Sequence, residues 1–224
     1  MQDDRPASQT LDRGLRVLEH VLQANEPLAI ADVAKGVDIH RSVAYRMMRT
    51  LEDHGLLARD EQGRYVPGAG LAALSGRFRP QLRAAAARHL HQLVLETGMT
   101  SFLVVRNGDE AVTIDVVEPP ASAAVISYRP GVSHPVHRGA PGLALLSGEP
   151  QQRDERPEVT HARRRGWAVS ESEVIEGFRS VAAPVVDATR VCRGALAVVF
   201  AGRADVPALG RTVAARANEL GRDL

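Results

Sequence analysis

The stretch His40-Arg41-Ser42-Val43-Ala44-Tyr45-Arg46-Met47-Met48-Arg49-Thr50-Leu51-Glu52-Asp53-His54-Gly55 decides how this chain is read. On a helix each residue turns by about 100°, so Val43, Ala44, Met47, Met48 and Leu51 share an arc of about 140°. Ser42, Tyr45, Arg46 and Arg49 spread over roughly 100° on the opposite side. Carboxylates come only at the end, as Glu52 and Asp53. The helix macrodipole favours the reverse order, with acids first and bases last. A helix that opens on Arg41 and holds its acids back is suited to aim its N-terminal amides at phosphate. An apolar face with an Arg/Ser/Tyr face opposite is what the major groove of DNA accepts. The same pattern also fits a surface helix with solvated arginines. The flanking sequence separates the two.

Upstream, Leu11, Leu15, Leu18 and Leu22 recur at i, i+4, i+7 and i+11, with Thr10 placed to cap the first turn. A break at Asn25-Glu26-Pro27 precedes Ile30, Val33 and Ala34, at i, i+3 and i+4, closed by Gly36. Gly36-Val37-Asp38-Ile39 is long enough only for a tight turn, which is helix-turn-helix spacing. Ala29 stands where a capping side chain is expected, so the middle helix starts unaided. Downstream, Gly55 takes the position just past the helix end. Leu56-Leu57-Ala58-Arg59 and Arg64-Tyr65-Val66 bracket Asp60-Glu61-Gln62-Gly63, a hairpin with a turn glycine. Three helices and a two-stranded wing make a winged helix-turn-helix. Its candidate DNA contacts are Arg41, Ser42, Tyr45, Arg46, Arg49 and, on the wing, Arg64.

Composition fits a cytoplasmic, two-domain protein. With 224 residues and 44% hydrophobic content, the chain can build one large core or two modest ones. No apolar run reaches the roughly 18 residues of a membrane span, and Met1-Gln2-Asp3-Asp4 does not open a signal peptide. Cys192 is the single cysteine, which excludes an intrachain disulfide and a cysteine-based zinc site. Net charge is +1, so a local patch rather than bulk charge must carry any affinity for nucleic acid.

Past the wing, Pro67-Gly68-Ala69-Gly70 leads into a short linker helix, Leu71-Ala72-Ala73-Leu74. After Pro80, Leu82, Ala86, Leu90, Leu93 and Val94 trace a long amphipathic helix that ends at Gly98. Strands are expected over 101–105 and 111–117 around Asn107-Gly108, over 123–128, and over 179–186 and 195–201 around Asp187-Ala188-Thr189-Arg190. A helix over 211–220 closes an α+β unit. The domains read as 8–68, 69–79 for the linker, and 80–224.

Several of these segments resemble the IclR family of bacterial transcription regulators. They are Leu11-Asp12-Arg13-Gly14-Leu15-Arg16-Val17-Leu18, Arg41 to Arg46 and Asp60 to Tyr65. Further along come Glu96-Thr97-Gly98, His137 to Gly142, Arg165-Gly166-Trp167 and Gly177 to Val185, all in family order. The resemblance implies a winged-helix DNA-binding domain, a linker helix and a GAF-like α+β effector-binding domain. It implies homodimers or dimers of dimers on double-stranded operator DNA, a small-molecule effector, and no cofactor, metal or membrane. It also frames an effector cavity from Leu103, Gly139, Ala140, Ala183, Val199 and Ala201. Two departures stand out. The chain is short between Ser147 and Val159, and Val198-Val199-Phe200-Ala201-Gly202 lacks the serines that many relatives present on this strand. Both point to a mostly apolar effector and a truncated helix.

The Gly139-Ala140-Pro141-Gly142 turn reads first as tight strand-to-helix packing, and second as amides for a ligand anion. His134, His137, Asp187 and Cys192 match no zinc spacing and give no nucleophile–base pair. Arg163-Arg164-Arg165 reads as a solvated helix end. The residues therefore favour a ligand-responsive DNA-binding regulator. The alternatives are a GAF-like enzyme with a fused winged helix, and an architectural DNA-binding protein without an effector.

Overall fold

The computed structural model describes residues 8–120 and 129–224, so the strand expected over 123–128 lies outside the described residues. The chain divides between Phe78 and Arg79 into two compact units.

The first unit orders α1 (Gln9–Gln23), α2 (Ile30–Gly36), α3 (Arg41–Asp53), β1 (Leu57–Arg59), β2 (Tyr65–Pro67) and α4 (Gly70–Ser75). Ser8, not Thr10, caps α1, accepting a hydrogen bond from the Leu11 amide at 3.4 Å. The leucine stripe of α1 meets the core only at Leu18. Val17, Leu18 and Val21 are buried, whereas Leu11, Leu15 and Leu22 stay exposed. The core joins them to Val33, Ala34, Ala44, Met48, Leu57 and Tyr65. Ala29 caps α2 with no side-chain bond, as the sequence implies.

Two connections make the wing part of this core. Leu28 and Tyr65 exchange both backbone hydrogen bonds, at 3.1 and 2.8 Å, adding a bridge outside the hairpin. Gly68 passes against the Gly55 carbonyl, where a Cβ would collide, so the chain leaving the wing folds back over the end of α3.

The second unit orders α5 (Pro80–Thr97), β3 (Thr100–Asn107), β4 (Glu110–Val117), β5 (Ser133–Pro135), α6 (Gly139–Gly148), α7 (Pro157–Arg165), β6 (Ala168–Glu171), β7 (Phe178–Val186), β8 (Cys192–Ala201) and α8 (Val206–Arg222). Six antiparallel strands pair in the order β5-β4-β3-β8-β7-β6. The β3–β4 turn is Gly108-Asp109, one residue later than Asn-Gly spacing suggests, because Asn107 still pairs with Glu110. Short strands β5 and β6 escaped the sequence reading, and α8 starts earlier, at an N-cap where Asp205 accepts from the Ala208 amide at 3.0 Å.

Alternation along the strands sorts the side chains into two cores. Leu103, Val105, Val181, Ala183, Val185, Leu196, Val198 and Phe200 face α5 and α8. Phe102, Val104, Ala182, Ala195, Ala197 and Val199 face α6 and α7. A sheet with helices on both faces is the α+β architecture expected.

Candidate nucleic-acid interface and ligand cavity

Helix α3 and the wing enclose an open groove of about 1060 Å³. Of the six candidate DNA contacts, Arg41, Ser42, Tyr45, Arg46 and Arg64 line it, and Arg49 does not. Arg49 stands on the exposed face of α3. Ala44 and Met48 are fully buried beneath the helix, which fixes its polar face outward. The first turn carries no acid. Arg41, Arg46 and Arg49 make no ion pair among the described residues. Leaving three guanidiniums unpaired on one helix face favours an external anion.

Arg64 behaves differently. Its Nε donates to Asp60 Oδ2 at 2.9 Å and a terminal nitrogen donates to Gln62 Oε1 at 3.0 Å. Burial pushes the Asp60 carboxyl up, but the Arg64 amide and guanidinium outweigh it and hold Asp60 below the usual carboxylate range. Arg64 is thus bound into the hairpin and its charge is largely answered there. Arg59, which the sequence did not single out, braces the groove. Its guanidinium donates to Glu52 at the end of α3 (3.1 and 3.2 Å) and to the Tyr65 hydroxyl at 2.7 Å. It lies 4.7 Å from the Tyr65 ring centroid.

The expected ligand cavity is nearly closed. About 20 Å³ remains among Gly139, Ser170, Glu173, Phe178, Arg179, Ser180 and Val199, room for about one water. Four of the six expected residues do not line it. Leu103 and Ala183 face α5 and α8, since one step along a strand turns a side chain to the other face. Ala201 lies exposed at the end of β8. Gly139 and Val199 line it, while Ala140 does not and touches it only through its amide, which donates to Ser170 Oγ.

Those amides are already occupied. Glu173, on the loop from β6 to β7, accepts from the Gly139 amide at 2.8 Å, and Ser170 Oγ accepts from the Ala140 amide at 2.7 Å. Arg156 holds the same carboxylate at 3.3 Å through two nitrogens, and Arg138 donates to the Glu173 backbone carbonyl. Val174 presses its methyl 2.7 Å from where a Gly139 Cβ would sit, with Gly139 at φ +71°. The turn is therefore a packing turn whose anion is the chain's own. Ser180 Oγ donates to the Val198 carbonyl at 3.0 Å, whereas Arg179, one step along β7, turns its guanidinium to the other face, 5.7 Å from the Phe200 ring centroid and 3.5 Å from Glu171 Oε2.

The arginine run is a solvated helix end only in part: Arg164 and Arg165 are exposed, but Arg163 is not. Arg163 donates to the carbonyls of Leu146 (3.0 Å), Ser147 (2.6 Å) and Glu149, and to Glu155 Oε2 (2.8 Å). It closes the C-terminus of α6 and pins residues 149–156, while Arg165 stacks 3.7 Å from the Trp167 ring centroid. Cys192 is half-buried, and burial pushes its thiol up to about 11. Among the described residues no group of three or more His, Cys, Asp and Glu could hold a metal ion, and no helix is long and apolar enough to cross a membrane.

Residues 10–61 match the IclR helix-turn-helix domain, and residues 78–157 and 152–205 match the bacterial transcriptional regulator IclR C-terminal domain. The chain belongs to the IclR family. Its match to the family's C-terminal domain breaks at 152–157, inside the short α6–α7 connection that Arg163 holds. The glycerol operon regulatory protein of Streptomyces griseus is 28% identical over 214 residues, covering 85% of this chain and 84% of that protein. The HTH-type transcriptional regulator XynR of Escherichia coli is 29% identical over 207 residues, covering 80% and 81%. The crystal structure of the Thermotoga maritima IclR superposes with a TM-score of 0.72 at 24% identity, covering 95% and 97%. An IclR homolog from Microbacterium hydrocarbonoxydans, complexed with 4-hydroxybenzoate, reaches 0.82 at 20% identity, covering 96% and 99%. As an IclR-family protein the chain is a DNA-binding transcriptional regulator.

Proposed function

We propose that residues 8–68 bind operator DNA through α3 and the wing, that 69–79 link them onward, and that 80–224 hold a small effector that alters operator affinity. The observation that carries this reading is the unpaired basic face of α3: Arg41, Arg46 and Arg49 open toward solvent above an otherwise satisfied wing. One such helix reads only a few base pairs, so two copies must act about a two-fold axis. Exposed Leu11, Leu15 and Leu22 on α1 and Leu74 on α4 suit that joint, which gives a homodimer or a dimer of dimers.

We place the effector where Val199, Phe178 and Gly139 meet Ser170 and Ser180. It is a mostly apolar molecule with one polar or acidic end. The apolar part follows from Val199 and Phe178, and burial there contributes about 25 cal/mol per Å². The polar end follows from the Ser170 and Ser180 hydroxyls, which the sequence reading did not place here. An aromatic acid has this chemistry, and a protein of the same fold is complexed with one. Entry requires the 172–177 loop to yield, because the closed cavity holds no organic molecule.

Footprinting on the promoter region beside the chain's own gene, with and without 4-hydroxybenzoate, benzoate, octanoate and glyoxylate, tests the reading. An aromatic or medium-chain acid should shift operator affinity. At about 100 times its dissociation constant it should also add about 2.7 kcal/mol to stability. If glyoxylate alone acts, the apolar assignment is wrong.

A further inference from the structure

His40 caps α3 in an unusual way. Its backbone is extended (φ −63°, ψ 140°), and its Nδ1 accepts from the Ser42 amide at 3.3 Å while lying 2.8 Å from Ser42 Oγ. A ring nitrogen that accepts from a backbone amide carries no proton, so the neutral ring keeps its proton on Nε2. That N–H lies across the ring from the helix and has no partner among the described residues. The side chain is exposed and lines the same groove as Arg41, Ser42, Arg46 and Arg64.

The choice of capping residue carries the argument. Ser, Thr, Asn and Asp are the usual caps, each worth about 1 kcal/mol over Ala. Asp would point a negative charge at the very surface that must meet phosphate. Ser and Thr would hold their hydroxyl donor, and Asn its amide donor, close against the helix. Imidazole places an acceptor and a donor on opposite sides of one rigid ring, so it can close the helix and still offer an N–H outward.

We propose that His40 is a DNA-contacting residue that also positions the recognition helix. Nδ1 closes the first turn of α3, and Nε2–H donates to a non-bridging oxygen of a DNA backbone phosphate. The contact is to phosphate rather than to a base, because it comes from the helix end and not from the face that bears Arg46. It adds affinity without sequence preference. This proposal rests on the reading that α3 and the wing bind DNA.

The test uses the full chain and a 30-base-pair duplex of arbitrary sequence at low salt, with affinity and thermal unfolding measured in parallel. His40→Asn retains a capping oxygen but sets its amide N–H closer to the helix than Nε2–H stands, whereas His40→Gln reaches outward with an amide N–H but caps poorly. The Asn variant should keep the wild-type melting temperature and bind the duplex about 2- to 10-fold more weakly, the range of one neutral hydrogen bond. The Gln variant should recover most of that affinity despite a lower melting temperature. Wild-type affinity in His40→Asn, or losses in both variants that follow melting temperature alone, would overturn the proposal. Arg46→Ala runs alongside: if it also binds like wild type, the interface itself has been misplaced, whereas its weakening with an unaffected Asn variant removes the His40 contact alone.

Discussion

Helices α3 and α6 begin with the same physics and are used in opposite ways. Each opens with backbone amides that no preceding turn of helix can satisfy and with a positive dipole end. At α3 Arg41 and Arg46 have no ion-pair partner among the described residues, and the groove in front is open. At α6 the amides of Gly139 and Ala140 are taken by Glu173 and Ser170, and the space in front has shrunk to about 20 Å³. One site is set up for an anion from outside. The other has supplied its own. A basic helix start therefore says little until the third group, the one that answers it, has been found.

Breaking the filled site should cost most. Val199 is 4% exposed, and Val199→Asp buries an unpaired carboxylate, which costs several kcal/mol. Thermal unfolding should show the Arg79–Leu224 unit strongly destabilised and any ligand-induced shift gone, while duplex binding by the free protein persists. Loss of DNA binding along with the shift would mean that the two sites are not independent.

Glu173→Gln sharpens the same contrast more gently. The amide oxygen can still accept from Gly139, but Arg156 and its carboxylate lose their charge pairing, which is partly exposed. A destabilisation of about 1 kcal/mol is expected. Because the loop is held less firmly, an aromatic acid should bind more tightly than to wild type. Weaker binding would show that Glu173 helps to hold the effector rather than to exclude it.

On the open side, Arg64→Ala should lower the salt slope of duplex binding by clearly less than the value of about 1 expected for a phosphate-paired arginine, because Asp60 already answers its charge. Asp60→Asn should release Arg64 and tighten binding slightly. A full unit lost in Arg64→Ala would show that the hairpin gives this side chain up to DNA.

The smallest effect is one of pH and separates the two units again. Burial pushes the His134 imidazole below its ordinary 6.5, against weaker raising contributions from the Pro135 carbonyl and Glu110. As pH falls, the unfolded chain takes up this proton first. Stability is therefore full above 6.5 and is lost as pH falls through the lower, folded value. Melting of the Arg79–Leu224 unit should drop between pH 7 and 5 by more in wild type than in His134→Gln. Equal slopes would remove His134 as the cause.

The winged helix was legible because its signals are local. The arc of Ala44 and Met48, the four-residue turn after Gly36 and the Gly63 hairpin each lie within a few residues of what they specify. The leucine stripe of α1 misled, because Leu11, Leu15 and Leu22 keep helical spacing without facing this chain's core. The cavity was less legible because its parts are distant. Glu173 reaches Gly139 across 34 residues, and Arg163 closes α6 from 16 residues away. Leu103 and Ala183 were placed by analogy along strands where a single step reverses the face. Arg59 and His40 carry no motif; their roles emerge only when the ends of α3 meet the wing and the capping turn.

The proposal to break first is that the unpaired face of α3 reads the operator. Its most direct test is the affinity of Arg46→Ala for the footprinted operator and for an unrelated duplex, each over a range of salt. If Arg46 reaches a guanine edge, the operator should weaken by about 1–3 kcal/mol and lose discrimination at one position. If it meets phosphate, both duplexes should weaken alike and the salt slope should fall by about 1. Unchanged affinity for both duplexes at every salt concentration would contradict the claim.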